Sequence, residues 1–486
     1  MTIWTLLTAA LVAGHAPQSP QSPQSPTPPS CADDIGFLQA KIQANYAGFL
    51  LEVTGAKRRA FDRMIAGVRT RAARDPAADC LPLLRQVTNW FEDPHLFIFE
   101  STRIDTAESG RRARAVAMSD MDEGKARAYY ARQASHLDPI EGIWYDGPLR
   151  MAVVPVPQAG RGHFMAVVLR SDTSSWPVGA IRARLHRVGN RYHAEVYTAK
   201  YALRHLDGDI YKHVMLRLSP GIWGKEYPVA AADSGLLDPV DVHRATFAKR
   251  GAAIVISIPS HDPTYRGAFD SLMAAHAPDL LTVRDLVIDL RGNEGGSSGM
   301  TAALLPYIAS SPMKPSILGG GGMILSSPDL IALARGWAPD SDASLRRLIT
   351  RMQESPGKLV PLDDPHDPVR PPTRDSVIRG PRHVGVLIDR GTVSASEVMV
   401  VEAKRSSRAT VFGEPTAGAL DYQSVSIVPI AASEKRWYLG YPTITRNASL
   451  PRGGMRGRGI PPDVRMELKS VRDPIAFVVR SLQRMP

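Results

Sequence analysis

The stretch that most restricts the fold is 384–418. Val384, Val386, Leu387 and Ile388 form an apolar run of the length expected for a strand covered on both faces, and Asp389, Arg390 and Gly391 break it. From Ser396 the spacing changes to Val398, Met399 and Val401, closed by Lys404 and Arg405, which predicts a short helix. A buried strand turning directly into a helix belongs to an α/β layer. The preceding chain shows the same order, with predicted strands over 252–258 and 286–290 and predicted helices over 269–275 and 300–308.

Ser394 falls at the strand-to-helix junction. Helix amides and the positive end of the macrodipole there point toward negative charge developing beside the hydroxyl, which suits a nucleophile. A helix N-cap is the plain structural reading of the same serine. A second loop, Asp289, Leu290, Arg291, Gly292, Asn293, Glu294, Gly295 and Gly296, has glycines that let backbone amides approach a ligand or an oxyanion. It lacks the lysine of a phosphate loop and the spacing of a dinucleotide fingerprint.

The 486 residues allow two or three domains, and a hydrophobic content of 44% is that of an ordinary globular protein. The net charge of +11 comes from basic residues spread along the chain without an aromatic-interleaved run, so a solvated surface is expected and no nucleic-acid partner. Residues 3–13 are apolar and too short to span a bilayer. They are followed by small residues and a Gln-Ser-Pro repeat, so 1–16 reads as a signal peptide and 17–30 as a Pro-rich spacer. A secreted or periplasmic location is expected, without a stable membrane span. In an exported chain Cys31 and Cys80, the only cysteines, are expected to pair, closing a loop of about fifty residues worth on the order of 3 to 4 kcal/mol.

Residues 31–100 read as a helical domain. Ile35, Leu38, Ile42 and Tyr46 mark one face, with Gly48 as a stop, and two further helices follow before Glu92, Asp93 and Pro94 end the run. His95 then stands at a helix-to-strand corner, where an imidazole can project into a cleft and act as a base. Residues 101–240 read as a β-rich middle domain, with alternation about Ile181, Ala183 and Leu185 and a turn at Gly189 and Asn190. Its histidines, His163, His186, His193, His205 and His213, lack metal-ligand spacing, so no metal and no other cofactor is expected.

Three separated motifs resemble those of the C-terminal-processing, or tail-specific, serine proteases: 289–296 (DLRGNEGG), 392–397 (TVSASE) and 413–418 (GEPTAG). Gly459, Ile460, Pro461, Pro462 and Asp463 resemble that family's closing motif. The resemblance implies a multidomain α/β chain whose protease core of the ββα superfold type covers 241–486, acting on a peptide or protein substrate through Ser394. The family's lysine base stands about 25 residues after the nucleophile, where this chain has Ala419. The resemblance is therefore to the branch of the tricorn core and the retinoid-binding proteins, and it implies His95 as base. That branch orients the histidine with a serine before it and a glutamate ahead of the closing motif, places that Pro94 and Arg456 occupy here. Glu294, Glu397, Glu414 and Asp421 remain open as substitutes. The oxyanion site implied is the Ala395 amide with that of Gly295 or Gly296. No peptide-gripping PDZ loop is visible.

Two other serines carry motif-like spacing. Gly295, Gly296, Ser297, Ser298 and Gly299 spell G-x-S-x-G, but several residues separate Ser297 from the strand, whereas a nucleophile elbow turns straight off it. Ser355 and Lys358 spell S-x-x-K across a Pro and a Gly that prevent the helix the motif needs. A catalytically silent peptide- or ligand-binding member of the same family is the alternative from another class.

Overall fold

The computed structural model describes residues 30–74, 80–101, 106–172, 176–219, 221–318, 322–336, 342–363, 380–430, 437–446, 450 and 454–486. The expected signal peptide and all but the last residue of the spacer lie outside these.

Ser30 and Asp33 cap the first helix reciprocally, each side chain taking the other's backbone N–H. Helix α1 (Cys31–Asn45) buries Ile35, Leu38 and Ile42 at helical spacing, and α2 (Ala47–Glu52), α3 (Gly55–Arg74) and α4 (Leu81–Asn89) follow. Gly48, expected as a stop, lies inside α2; the break comes at Tyr46, whose extended backbone separates α1 from α2. Cys31 and Cys80 form a disulfide with Cα atoms 5.5 Å apart, tying α1 to the start of α4. After His95 the chain enters strand β1 (Phe97–Glu100).

The middle region closes into an eight-stranded antiparallel barrel of β2 (Gly142–Asp146), β3 (Leu149–Pro155), β4 (His163–Arg170), β5 (Ile181–Val188), β6 (Arg191–Tyr197), β7 (Leu203–Tyr211), β8 (Met215–Leu218) and β9 (Gly221–Tyr227). The expected turn joins β5 to β6, with Gly189 at a φ of +61°. Trp144, Met151, Phe164, Leu216 and Trp223 are among the side chains that fill one core of this region. Barrel closure removes sheet edges.

Next come β10 (Thr246–Arg250), β11 (Ala253–Ser257), β12 (Asp285–Asp289), β13 (Met323–Leu325), β14 (Leu359–Pro361), β15 (His383–Ile388), β16 (Ala409–Gly413), β17 (Tyr422–Pro429), β18 (Trp437–Thr445) and β19 (Val464–Arg465). One sheet runs β10-β11-β12-β15-β16-β19 and is parallel from β11 onward. Its central strands are buried on both faces, as the apolar runs require. The helix expected over 300–308 is for the most part a tighter 3-10 segment, Ser298–Leu304, with a single α turn at Leu305–Ile308.

The second sheet combines β1, β13, β14, β17 and β18. β1 pairs with β18, and the helices of residues 31–100 share one apolar core with Ile324, Val360, Tyr422, Trp437 and Leu439. They cover the second sheet of the C-terminal region. This delivers His95, at the entry to β1, to a position beside Tyr422 at the start of β17.

Candidate active site

Ser394 immediately precedes the helix Ala395–Arg405, but its backbone is not that of an N-cap. N-caps have extended dihedrals, whereas Ser394 has φ +58° and ψ −116°. A non-glycine residue held there costs on the order of 1 to 3 kcal/mol, and such strain concentrates at functional positions. Glu397 over-determines the turn. Its Oε2 accepts the N–H groups of Ser394 at 2.9 Å and Ala419 at 2.8 Å, and its Oε1 accepts Gly418 N–H at 2.7 Å and the Thr416 hydroxyl at 2.6 Å. One buried carboxyl thus joins the serine motif to the 413–418 motif, and burial raises its pKa. Ala419 sits against the Ser394 turn, yet its methyl group cannot take a proton.

The glycine-rich loop closes on the same turn. Gly295 has a φ of +92°, and a Cβ there would lie 2.6 Å from Val393 O, 2.8 Å from Ser394 Cβ and 2.9 Å from Ala395 N, so only glycine fits. Gly295 N–H donates to Asn293 Oδ1 at 2.9 Å. Among the described residues the amides of Gly296 and Ala395 have no such acceptor, which narrows the expected Gly295-or-Gly296 choice to Gly296. His261 brackets Gly296: its N–H donates to Gly295 O at 3.1 Å and its C=O accepts Ser297 N–H at 2.8 Å. The fully buried His261 ring lies 3.2 Å from Ser396 Oγ and 3.3 Å from Thr301 Oγ1. Burial pushes its pKa down to about 4, so it is a neutral support.

His95 is buried, and its Nδ1 lies 2.6 Å from the carbonyl oxygen of Tyr422. A carbonyl only accepts, so Nδ1 carries the proton and Nε2 is left as the acceptor. The His95 backbone N–H donates to Asp93 Oδ1 at 2.9 Å, and Asp93 Oδ2 accepts the Tyr46 hydroxyl at 2.7 Å. None of the four open carboxylates reaches the ring. Glu294 meets Arg217 and Ser219, Glu414 meets Leu468 N–H, Asp421 meets the Met455 and Arg456 amides, and Glu397 holds the Ser394 turn. Arg456, in the place of the branch's glutamate, pairs with Glu52 at 2.5 Å, and Glu52 also accepts the Tyr422 hydroxyl at 2.7 Å. The segment 416–422 therefore touches both halves of the site, Ala419 at the Ser394 turn and Tyr422 at His95. No hydrogen bond joins His95 to Ser394 in this structure.

Asp389 ties the glycine-rich loop to the turn that leads into Ser394. Its Oδ1 accepts Gly292 N–H at 2.9 Å and Gly391 N–H at 2.8 Å, and burial pushes its pKa up to about 6. An unfolded aspartate titrates near 3.9. Between these values the folded chain binds the extra proton, so Asp389 subtracts from stability as pH rises from about 4 to 6, by on the order of 3 kcal/mol in all. Denaturant unfolding of Asp389→Asn is expected to show a stability difference from wild type that shifts in the variant's favour across that window and is flat above it. A difference independent of pH between 4 and 8 would contradict the assignment.

Among the described residues no cluster of metal-binding side chains occurs, and no helix is long and apolar enough to cross a membrane. Ser297 precedes a 3-10 segment and has an ordinary extended backbone, without an elbow.

No curated protein matches the chain. Among solved structures it is similar to mature CPAF, with 12% identity, a TM-score of 0.43 and 90% of this chain and 92% of that chain covered. The photosystem II D1 C-terminal processing protease gives 14% identity, a TM-score of 0.35 and coverage of 93% and 97%. The tricorn protease gives 11% identity and a TM-score of 0.38 over 93% of this chain and 36% of that one. Residues 255–466, which contain the strained serine, the glycine-rich loop and the Glu397 junction, match the model of peptidase family S41, and this match supports a serine-type peptidase.

Proposed function

We propose that the chain hydrolyses peptide bonds through an acyl-enzyme on Ser394, with His95 as general base and the Gly296 and Ala395 amides as oxyanion donors. The observation that carries this reading is the backbone of Ser394, which sits at positive φ against Gly295 of the glycine-rich loop and donates its N–H to Glu397, a carboxyl also bonded by Thr416, Gly418 and Ala419. Ser394 Oγ attacks the peptide carbonyl carbon as its proton passes to His95 Nε2. The carbonyl oxygen then becomes an oxyanion facing the two amides. Collapse expels the amine, which takes the proton from His95, and water repeats the sequence to release the acid. The substrate is a peptide or protein.

The missing hydrogen bond between His95 and Ser394 favours a second reading, a silent peptide- or ligand-binding member. Catalytic hydrogen bonds are often long before substrate binds, so the enzyme reading stands ahead of it. A fluorophosphonate probe separates the two, because it requires only an activated hydroxyl and an oxyanion site. Label on Ser394 supports the enzyme, and absence of label from folded protein supports the binder.

Export is part of the proposal, supported by the apolar N-terminus and by the Cys31–Cys80 bridge, since disulfides persist in oxidising compartments. Intact mass of protein from its native host is expected to lack roughly the first ten to twenty residues and to show no free thiol. Retention of Met1 with both cysteines alkylated would overturn export.

A further inference from the structure

The glycine-rich loop has positive φ at Gly292 (+70°), Gly295 (+92°) and Gly296 (+138°), so its own backbone does little to fix one conformation. An oxyanion donor, in contrast, acts only when its N–H is placed to within a fraction of an ångström. The hairpin of β7 and β8, part of the barrel, adds a side-chain restraint to those from Asp389 and His261. Arg217 is buried, and its guanidinium reaches three partners in two segments: Nε donates to Gly292 O at 2.7 Å, Nη2 donates to Pro259 O at 2.9 Å, and Nη1 lies 3.1 Å from Glu294 Oε2. Gly292 and Glu294 are in the loop itself, and Pro259 stands two residues before His261, which brackets Gly296.

The rest of the hairpin has the same target. The Tyr211 ring packs on both catalytic loops, since a Cβ at Gly292 would come within 2.6 Å of it and one at Gly391 within 2.4 Å. Lys212, at the hairpin turn, is fully buried with Nζ 2.8 Å from Ser257 Oγ and 3.3 Å from Asp289 O, the residue from which the loop departs.

We propose that Arg217 is a positioning residue for the oxyanion site, through which the barrel holds Gly292 and Glu294 and so places the Gly296 amide. The inference rests on the serine-peptidase reading. A planar fork with donors in fixed directions is needed to join three partners across two segments, so a lysine, a point charge on a flexible stem, does not replace it.

Arg217 also lines a cavity of about 320 Å³ with Glu294 and with Phe97 and Ile98 of β1, and a side chain that merely gripped substrate there would act on KM. Positioning predicts the opposite split. Arg217→Met and Arg217→Lys are both expected to lower kcat by about ten- to a hundredfold, below the 10²- to 10³-fold loss of an oxyanion donor itself, with KM within about threefold of wild type. The rate of fluorophosphonate labelling falls in parallel. Glu294→Gln, a milder change at a partly exposed residue, is expected to lose several-fold in kcat alone and decides the matter if the Arg217 variants do not fold. Folded variants with wild-type kcat, a loss confined to KM, or full rescue by Arg217→Lys would each overturn the proposal. Ser394→Ala assayed beside them keeps the two readings apart: activity surviving in that variant removes the serine mechanism, while the Arg217 ratio is read on wild-type turnover and stands or falls separately.

Discussion

Ser394→Ala is expected to abolish fluorophosphonate labelling and to lower peptide turnover by about 10⁴- to 10⁶-fold, the scale on which loss of a serine nucleophile acts. The backbone geometry adds a second readout that a bystander serine would not give. At φ +58° and ψ −116° an alanine is as strained as the serine it replaces, so Ser394→Ala leaves the stored strain in place. Ser394→Gly relieves it. The glycine variant is therefore expected to be equally inactive yet more stable than the alanine variant by on the order of 1 kcal/mol in denaturant unfolding. Persistent labelling of Ser394→Ala, mapped by peptide mass to Ser297, would move the nucleophile to the glycine-rich loop. A glycine variant no more stable than the alanine variant would remove the argument from strain.

Much of the frame around this serine was legible because its signals are local. Val384 to Ile388, interrupted only by Gly385, and Leu286 to Ile288 are apolar, as a doubly covered strand requires, and Ile35, Leu38 and Ile42 keep helical spacing. Barrel closure was not legible. It depends on Trp144 of β2 pairing with Lys225 of β9, some eighty residues away, and the alternation within each strand is the same in a barrel as in an open sheet. What the helical segment packs against was hidden for a related reason: its apolar face is evident, but its partners, Ile324, Trp437 and Leu439, lie hundreds of residues later.

Within the site, side chains with a motif around them were readable and main-chain partners were not. Nothing in the letters marks the Tyr422 carbonyl or the His261 backbone, because a peptide group carries no residue identity, and for the same reason the choice between the Gly295 and Gly296 amides stayed open. Glu397 was visible only as one of several open carboxylates, since its four donors lie both within its own turn and about twenty residues on. Arg217 sits in a barrel strand with no chemical motif, and its role emerges only when the hairpin is docked on the loop.

The carbonyl that holds His95 leads to the second large effect. His95→Ala is expected to lower kcat and the labelling rate by about 10⁴- to 10⁶-fold with the unfolding transition little changed, on the scale of losing the base of a serine triad. Near wild-type turnover in that variant would rule the histidine out. The nearby acid should behave unlike the acid of a Ser-His-Asp triad, where Asp→Asn costs about 10⁴-fold because the imidazole is left in the wrong tautomer. Here the Tyr422 carbonyl, 2.6 Å from Nδ1, fixes the tautomer, and among the described residues the Asp93 carboxylate takes its hydrogen bonds from the His95 backbone N–H and the Tyr46 hydroxyl and not from the ring. An asparagine at 93 keeps an oxygen for that N–H. Asp93→Asn is accordingly expected to lose less than about tenfold in kcat. A loss near 10⁴-fold in a folded Asp93→Asn protein would mean that the carboxylate stabilises the imidazolium after all, and the carbonyl would then no longer suffice as the group that orients the base.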